Sequence, residues 1–262
     1  TNVLYNENNT MLVYYPPSPD ATSLTIPASV TSIGDYAFYY ASGLTSITFS
    51  QDSLLTSIGS QAFRSASGLT SITIPASVTS IGDQAFQGAT SLTSITFPQN
   101  SLLTSIGSGA FQIASTLTSI TIPEGVTSIE PFAFRSSGLT SITIPAGVTS
   151  IGDYAFYYAS GLTSITFSQD SLLTSIGDSA FRASSLTSIA IPASVTSIGD
   201  SAFYGSGLNS VYIENDQLTG ISSPDTNVPF YGATVNTFTW QAYQTGLIAE
   251  ALLTDSTFIT DL

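Results

Sequence analysis

The chain has 262 residues, of which 42% are hydrophobic, so it is long enough to bury a sizeable core. Its 3 Lys and Arg residues stand against 17 Asp and Glu residues, which gives a formal net charge of −14. This balance leaves no basic surface for phosphate contacts, so nucleic-acid binding is excluded, and an anionic membrane or acidic polymer would be repelled as well.

Cysteine and histidine are both absent, which excludes disulfides and metal sites built on thiolates or imidazoles. No run of about 18 apolar residues occurs, so we expect no membrane insertion. We expect no metal and no cofactor. The chain begins at Thr1 without a methionine, which indicates a processed protein or a segment of a longer polypeptide.

Residues 1–23 differ from the rest of the chain. Strand-like runs at Val3–Tyr5 and Met11–Tyr15 flank the turn-rich run Asn6–Thr10, and this pattern predicts a β-hairpin. We interpret 1–23 as an N-terminal cap over the first repeat. The alternative is an edge that pairs with another chain.

Residues 24–234 form an array of about nine similar units, of which Leu69–Phe86 is a clear example. Its apolar positions define two short β-runs, Leu69–Ile74 and Val78–Ile81, separated by Pro75. One unit has too little apolar surface to fold alone, whereas stacked units share a core. The spacing and the L-x-x-I-x-I pattern therefore predict a repeat solenoid of the leucine-rich type. A Phe closes each unit, at positions 38, 63, 86, 111, 134, 156, 181 and 203, with Phe230 as a divergent ninth.

Two kinds of unit alternate irregularly along the array. One contains Ile-Pro-x-x-Val, and the other contains Phe-x-Gln-x-Ser-Leu-Leu with two extra residues in the turn. Asp35–Gly59 recurs without a change as Asp153–Gly177, 118 positions later. This recent duplication argues against a single catalytic centre within that block, because none of its residues is unique.

Side-chain alternation along the first run of each unit predicts a ladder of outward hydroxyls, because alternate residues of a strand face opposite sides. We expect this ladder to line the concave sheet and to be the binding surface. Its members are Ser46, Thr48, Ser71, Thr73, Ser94, Thr96, Ser119, Thr121, Ser141, Thr143, Ser164 and Thr166. The second run predicts another outward ladder that contains Thr79.

An acidic residue or Ser follows each Ile-Gly pair, and we interpret it as the N-cap of a short helical turn. The aspartates at this position are Asp35, Asp83, Asp153, Asp178 and Asp200. A structural cap is favoured over calcium binding or catalysis. Asp52, Asn100 and Asp170 lie in the longer turns and form a weak candidate for Ca²⁺, since each turn supplies a single acid at most.

A column of aromatic and cationic residues follows the closing Phe of many units. Its members are Tyr39, Tyr40, Arg64, Arg135, Tyr157, Tyr158, Arg182 and Tyr204, and they include every cation of the chain. Tyr and Arg are frequent at interaction hot spots, so the column is a second candidate interaction surface, expected on the convex side. The alternative is a solvated surface whose tyrosines pack flat on the neighbouring repeat.

Residues 235–262 depart from the repeat. Val235–Trp240 resembles a last strand, Trp240–Leu252 has helical spacing, and Thr257–Thr260 is a short strand candidate. We interpret this segment as a C-terminal cap over the open end of the stack. The alternative is an end left open for head-to-tail stacking of chains.

The units Leu-Thr-Ser-Ile-Thr-Ile-Pro-x-x-Val-Thr-Ser-Ile-Gly-x-x-Ala-Phe resemble the BspA-like, or treponemal, leucine-rich repeats over about residues 3–213. The resemblance implies a superhelix with a parallel β-sheet on its concave face and short strands and helical turns elsewhere. Members of that family are typically secreted or surface-attached, and several are adhesins. It therefore implies an extracellular or cell-surface location. The chain departs from the family in having Ala41, Ala66 and Ala89 where Cys is common, and in lacking Lys.

We therefore predict a non-enzymatic surface protein that adheres to a protein or glycan partner through the concave ladder. The first alternative is a structural subunit that assembles with copies of itself into a filament or layer. The second is binding of ice or polysaccharide through the regular hydroxyls. An enzyme is disfavoured because the acids recur at turn positions with a structural role, and His, Cys and Lys are missing.

Overall fold

The computed structural model describes residues 3–17, 22–214, 229–230 and 237–240, with the backbone alone for the last of these. Each unit makes one turn of a parallel β-solenoid of about nine turns. A turn begins with a strand of three or four residues, passes a proline-containing or longer loop, forms a two-residue strand, and closes through tight turns at the Phe. The predicted helix and final strand of the C-terminal cap lie outside the described residues.

The described residues contain 19 short strands. In chain order they are β1 (Leu4–Tyr5), β2 (Met11–Tyr14), β3 (Ser23–Ile26), β4 (Ser32–Ile33), β5 (Ser46–Phe49), β6 (Ser57–Ile58), β7 (Ser71–Thr73), β8 (Ser80–Ile81), β9 (Ser94–Thr96), β10 (Ser105–Ile106), β11 (Ser128–Ile129), β12 (Ser141–Ile144), β13 (Ser150–Ile151), β14 (Ser164–Phe167), β15 (Ser175–Ile176), β16 (Ser188–Ile191), β17 (Ser197–Ile198), β18 (Ser210–Ile213) and β19 (Thr237–Trp240).

The longer strands stack in one row and the two-residue strands in another. The first row comprises the sheets β3-β5-β7-β9, β12-β14 and β16-β18-β19, and the second comprises β4-β6-β8-β10 and β11-β13-β15-β17. Pairing between turns is parallel and in register, so that Ser46 lies beside Ser71 and Ile47 beside Ile72. Equivalent side chains of successive turns therefore form columns.

The N-terminal hairpin continues the second row at its first end. Its strands β1 and β2 are antiparallel, and β2 pairs in parallel with β4. Leu12 and Tyr15 are buried, and the Tyr15 ring lies 5.3 Å from that of Phe38. The hairpin thus adds an aromatic ring to the end of the phenylalanine column.

The core consists of aliphatic columns around a continuous stack of phenylalanines. Neighbouring rings from Phe38 to Phe203 lie 4.7–5.5 Å apart and within 12° of parallel. Phe230 extends the stack at 4.9 Å from Phe203. Because each ring from Phe38 to Phe203 is covered on both faces, the stack excludes water from the interior of this part of the coil.

The predicted helical turns are absent from the described part of the chain, which contains no helix. In the first unit Tyr36 and Tyr40 have φ values of 59° and 56°, and the equivalent residues of the later units are also left-handed. Two left-handed residues in each closing turn are incompatible with a right-handed helix. The chain instead makes successive tight turns, such as the bonds from the Ala37 N–H to Gly34 O and from the Tyr39 N–H to Tyr36 O.

Four of the five aspartates predicted as helix caps consequently have a different role. Oδ1 of Asp35 accepts a hydrogen bond from the N–H of Ser60 at 2.7 Å, and Oδ1 of Asp178 accepts one from the N–H of Asp200 at 2.8 Å. Asp83 and Asp153 make the same contact with the next turn. Each of these carboxylates caps a backbone amide of the following repeat rather than of its own turn.

Candidate binding surfaces

The outward side chains of the first row form what we call the hydroxyl face. It consists of the twelve Ser and Thr residues predicted for the ladder, from Ser46 to Thr166. Eleven of them are exposed and Ser46 is half-buried. Ser119 and Thr121 lie in a stretch that is not a strand, so the face continues there without sheet pairing.

Most of these hydroxyls have no protein partner among the described residues. The exceptions are Thr48, which contacts Thr25 Oγ1 at 2.9 Å, and Thr143 and Thr166, which contact each other at 2.9 Å. Parallel strands lie about 4.8 Å apart, so the remaining groups form a regular array of free donors and acceptors.

Two neighbouring threonine columns differ from the hydroxyl face because their hydroxyls are used internally. Thr70 donates to the carbonyl of Thr45 at 3.2 Å, and Thr79, on the second row, donates to the carbonyl of Thr56 at 3.1 Å. The predicted second ladder is therefore outward-facing, but its hydroxyl protons bind the backbone of the preceding turn. Its function is the cohesion of the coil.

A shallow depression of about 650 Å³ lies on the hydroxyl face. Ser46, Thr48, Ser71 and Thr73 form part of its floor, and Asp52 belongs to the longer turn beside it. The longer turn thus adds a carboxylate to an otherwise uncharged surface. Among the described residues, no three acidic side chains lie close enough together to hold a metal ion.

The aromatic and cationic column forms two clusters, which we call the tyrosine patches. The first contains Tyr36, Tyr39, Tyr40, Gln61 and Arg64, and the second contains Phe132, Arg135, Tyr154, Tyr157, Tyr158, Arg182 and Tyr204. The sequence prediction omitted Tyr36, Phe132 and Tyr154, which precede the Ala-Phe pair. Their signal was the residue two positions before the closing Phe, which is aromatic in these units alone among those described.

Arginine guanidinium groups lie over the rings of both patches. Arg64 is 5.9 Å from the ring centroid of Tyr39, and Arg182 is 6.0 Å from that of Tyr157 and 4.5 Å from that of Tyr204. No ion pair occurs among the described residues, so the positive charges are stabilised by aromatic faces. Hydrogen bonding with Tyr40 is the main factor that raises the pKa of Tyr39 above its ordinary value.

Comparison with known families agrees with this architecture. The family of the BspA type leucine rich repeat region matches the chain in six copies, over residues 14–137 and 104–224. The chain belongs to the BspA-type leucine-rich repeat family. Leucine-rich repeat solenoids typically act as interaction scaffolds that bind proteins.

Solved structures with the same fold come from several bacteria. A leucine-rich repeat protein from Bacteroides ovatus is 26% identical with a TM-score of 0.70, over 92% of this chain and 67% of that one. The leucine-rich repeat protein of T. pallidum is 22% identical with a TM-score of 0.60, over 70% of this chain and 85% of that one. A leucine-rich repeat protein from Eubacterium ventriosum is 21% identical with a TM-score of 0.53, over 85% and 81% of the two chains.

No curated protein is significantly similar to this BspA-type chain. The described residues include no helix that is long and apolar enough to span a bilayer.

Proposed function

We propose that this BspA-type solenoid is a secreted or cell-surface protein that adheres to another protein through its hydroxyl face. The observation that carries the proposal is the row of outward Ser and Thr hydroxyls, most of them without protein partners, beside threonine columns whose hydroxyls mostly donate to the backbone of the preceding turn. A surface built only for cohesion would not need the free row. An extended array of small polar groups suits a partner that lies along several repeats.

Substitution at the depression tests the proposal. Thr73 is exposed on β7 and lines the depression, so Thr73→Arg introduces a long charged side chain across it. Asn8→Arg is the control, because Asn8 lies in the exposed turn of the hairpin and the charge change is the same. Both variants are compared with the parent chain by biolayer interferometry against a panel of purified extracellular-matrix and cell-surface proteins.

We expect saturable binding of at least one panel member, weakened about tenfold or more by Thr73→Arg and unchanged by Asn8→Arg. Equal midpoints of thermal unfolding for the two variants would show that misfolding does not cause the loss of binding. Binding that survives Thr73→Arg unchanged, or a panel without any saturable binder, would contradict the proposal.

A second candidate function is self-assembly into a filament or layer. The observation that favours it is the exposure of Leu4, Met11, Val13 and Tyr14 on the hairpin at the first end of the coil. Exposed apolar side chains that lie close together mark association surfaces in many proteins. Light scattering over a range of concentrations separates the candidates, since a chain that stays monomeric throughout does not assemble.

A further inference from the structure

The two tyrosine patches are copies of one arrangement. Tyr36, Tyr39 and Tyr40 recur 118 positions later as Tyr154, Tyr157 and Tyr158, and an arginine follows on the next turn in each case. The ring centroids of Tyr39 and Tyr40 are 4.4 Å apart at an interplanar angle of 74°, and those of Tyr157 and Tyr158 are 4.5 Å apart at 85°. The geometry is therefore reproduced as well as the sequence.

The outer tyrosines of both patches are accessible. Tyr36 and Tyr40 are 49% and 58% exposed, and Tyr154 and Tyr158 are 37% and 54% exposed. The equivalent positions of most other turns hold small or polar residues, such as Gln84 and Ser65, so the fold does not require aromatic rings there. Four exposed aromatic rings at repeated positions therefore indicate a surface that binds a partner.

The polar groups beside the rings are donors with planar geometry. Gln61 bridges the first patch, since its Nε2 donates to the Tyr36 hydroxyl at 3.1 Å and its Oε1 accepts from Arg64 at 2.6 Å. Arg135 and Arg182 make no hydrogen bond to protein among the described residues, so their guanidinium donors are open to a ligand. Flat apolar faces bordered by planar donors match the two surfaces of a sugar ring, its C–H face and its hydroxyl edge.

The charge of the chain decides between neutral and acidic sugars. The formal net charge is −14, and Asp35 and Asp153 directly precede the first tyrosine of each patch. A polyanion would be repelled at both patches, whereas uncharged hydroxyls would not. The duplication favours a polymer, because five turns at about 4.8 Å place the patches about 24 Å apart, within reach of one extended chain.

We propose that the tyrosine patches bind a neutral, extended polysaccharide, whose sugar rings pack on the exposed tyrosines and whose hydroxyls accept hydrogen bonds from the arginines. A single chain occupies both patches and gains affinity from their simultaneous engagement. This surface is separate from the hydroxyl face, so its ligand is additional to the protein partner proposed above.

The test uses substitutions that the fold already accepts at equivalent positions of other turns. Tyr40→Ser and Tyr158→Ser introduce the residue found at Ser65, and Arg64→Gln and Arg182→Gln introduce the residue found at Gln87. Ile113→Ser is the matched control, because Ile113 occupies the same exposed, left-handed position as Tyr40 in a turn without tyrosine or arginine.

The probe is hydroxyethylcellulose, a soluble neutral β-1,4-glucan, compared with polygalacturonate and poly-L-glutamate by affinity electrophoresis and calorimetry of the full chain. Of the three polymers, we expect only the glucan to bind. Substitution in one patch alone should weaken this binding about tenfold, and combining Tyr40→Ser with Tyr158→Ser should abolish it. Ile113→Ser is expected to bind like the parent chain.

Absence of binding to the glucan would overturn the proposal, as would equal binding by the double variant. Tighter binding of polygalacturonate would assign the patches to acidic sugars, and tighter binding of poly-L-glutamate would assign them to an acidic peptide, so that either result also rejects a neutral polysaccharide. Thr73→Arg is expected to leave glucan binding unchanged, which keeps failure here distinct from failure of the hydroxyl-face proposal.

Discussion

At the scale of single residues, the coil depends on side chains that act on the neighbouring turn. Each inter-turn aspartate accepts a hydrogen bond from a backbone N–H of the next repeat. The glycine that precedes this N–H leaves room for the carboxylate to approach. A Cβ atom at Gly59 would lie 2.5 Å from Oδ1 of Asp35 and 2.7 Å from its backbone nitrogen. The glycine of the Ile-Gly pair therefore makes room for the carboxylate wherever the preceding repeat has an aspartate at this position, as at Gly59, Gly107, Gly177 and Gly199.

Asp178 offers a direct test of this role. Asp178→Ala removes the acceptor of the Asp200 N–H and should lower the free energy of unfolding by about 1 kcal/mol, the usual net value of such a bond. Asp178→Asn keeps an oxygen at the same position and should cost less. Urea unfolding of both variants measures the difference, and equal losses would indicate that the charge rather than the acceptor matters.

Three buried serines occur where the loop after the closing Phe is shorter. Ser137, Ser184 and Ser206 are 5% exposed and their hydroxyls have no hydrogen-bond partner among the described residues. They occupy the third position after the closing Phe, where the other units from the first repeat onward have Ala, and all three lie in loops one residue shorter. The shorter loop and the serine therefore occur together.

At the scale of elements, the phenylalanine stack contains most of the largest fully buried side chains of the core. The Phe111 ring is fully buried and lies 5.5 Å from both Phe86 and Phe134. Removal of one ring leaves a cavity that the two flanking turns cannot close, because backbone hydrogen bonds from the Phe86 N–H to Ala110 O and from the Phe111 N–H to Ala133 O fix their separation.

Phe111→Ala should therefore lower the free energy of unfolding by about 3–5 kcal/mol. Phe132→Ala is the matched control, since Phe132 also stacks on a ring, that of Tyr154 at 5.2 Å, but is only half-buried on the outside of the coil. It should cost about 1 kcal/mol or less. Chemical denaturation of the two variants measures both losses of unfolding free energy. Similar losses would show that burial in the inner stack adds no stability.

At the scale of the whole molecule, the described part of the coil has one place where both rows are interrupted. No strand spans residues 107–127, so β9 is not paired with β12 nor β10 with β11, although the phenylalanine stack runs through from Phe111 to Phe134. Repeat proteins are held together by contacts between neighbouring units, so we expect a gap in strand pairing, here bridged at the closing turn by bonds such as that from the Phe111 N–H to Ala133 O, to divide the array into two more cooperative halves.

Hydrogen exchange should reveal this division. We expect amides of residues 118–122 to exchange faster than those of β12 and β14, because local opening begins where sheet bonds are missing. The four residues of β12 are the internal comparison, since they carry the same Ser-Ile-Thr-Ile sequence as residues 119–122. Uniform protection across both segments would contradict a two-part coil.

Much of the architecture was predictable from the sequence because its determinants are local. Alternate apolar residues specify which side of each short strand is buried, and the recurring Phe defines the length of each turn, so the solenoid and its columns followed from spacing alone. The hydroxyl face is exposed as alternation predicted, although its binding role stays a proposal.

The partners of the polar side chains were decided by the tertiary structure. The acceptor role of Asp35 toward Ser60, the internal use of the Thr79 hydroxyl, and the hydrogen bond from Gln61 to the Tyr36 hydroxyl all involve residues that are distant in sequence. A polar side chain binds whatever donor or acceptor its neighbour places within about 3 Å, and that neighbour is known only once successive turns are stacked in register. The incorrect prediction of helical turns has the same cause, since the sequence does not show whether an aspartate caps an amide of its own turn or of the next turn.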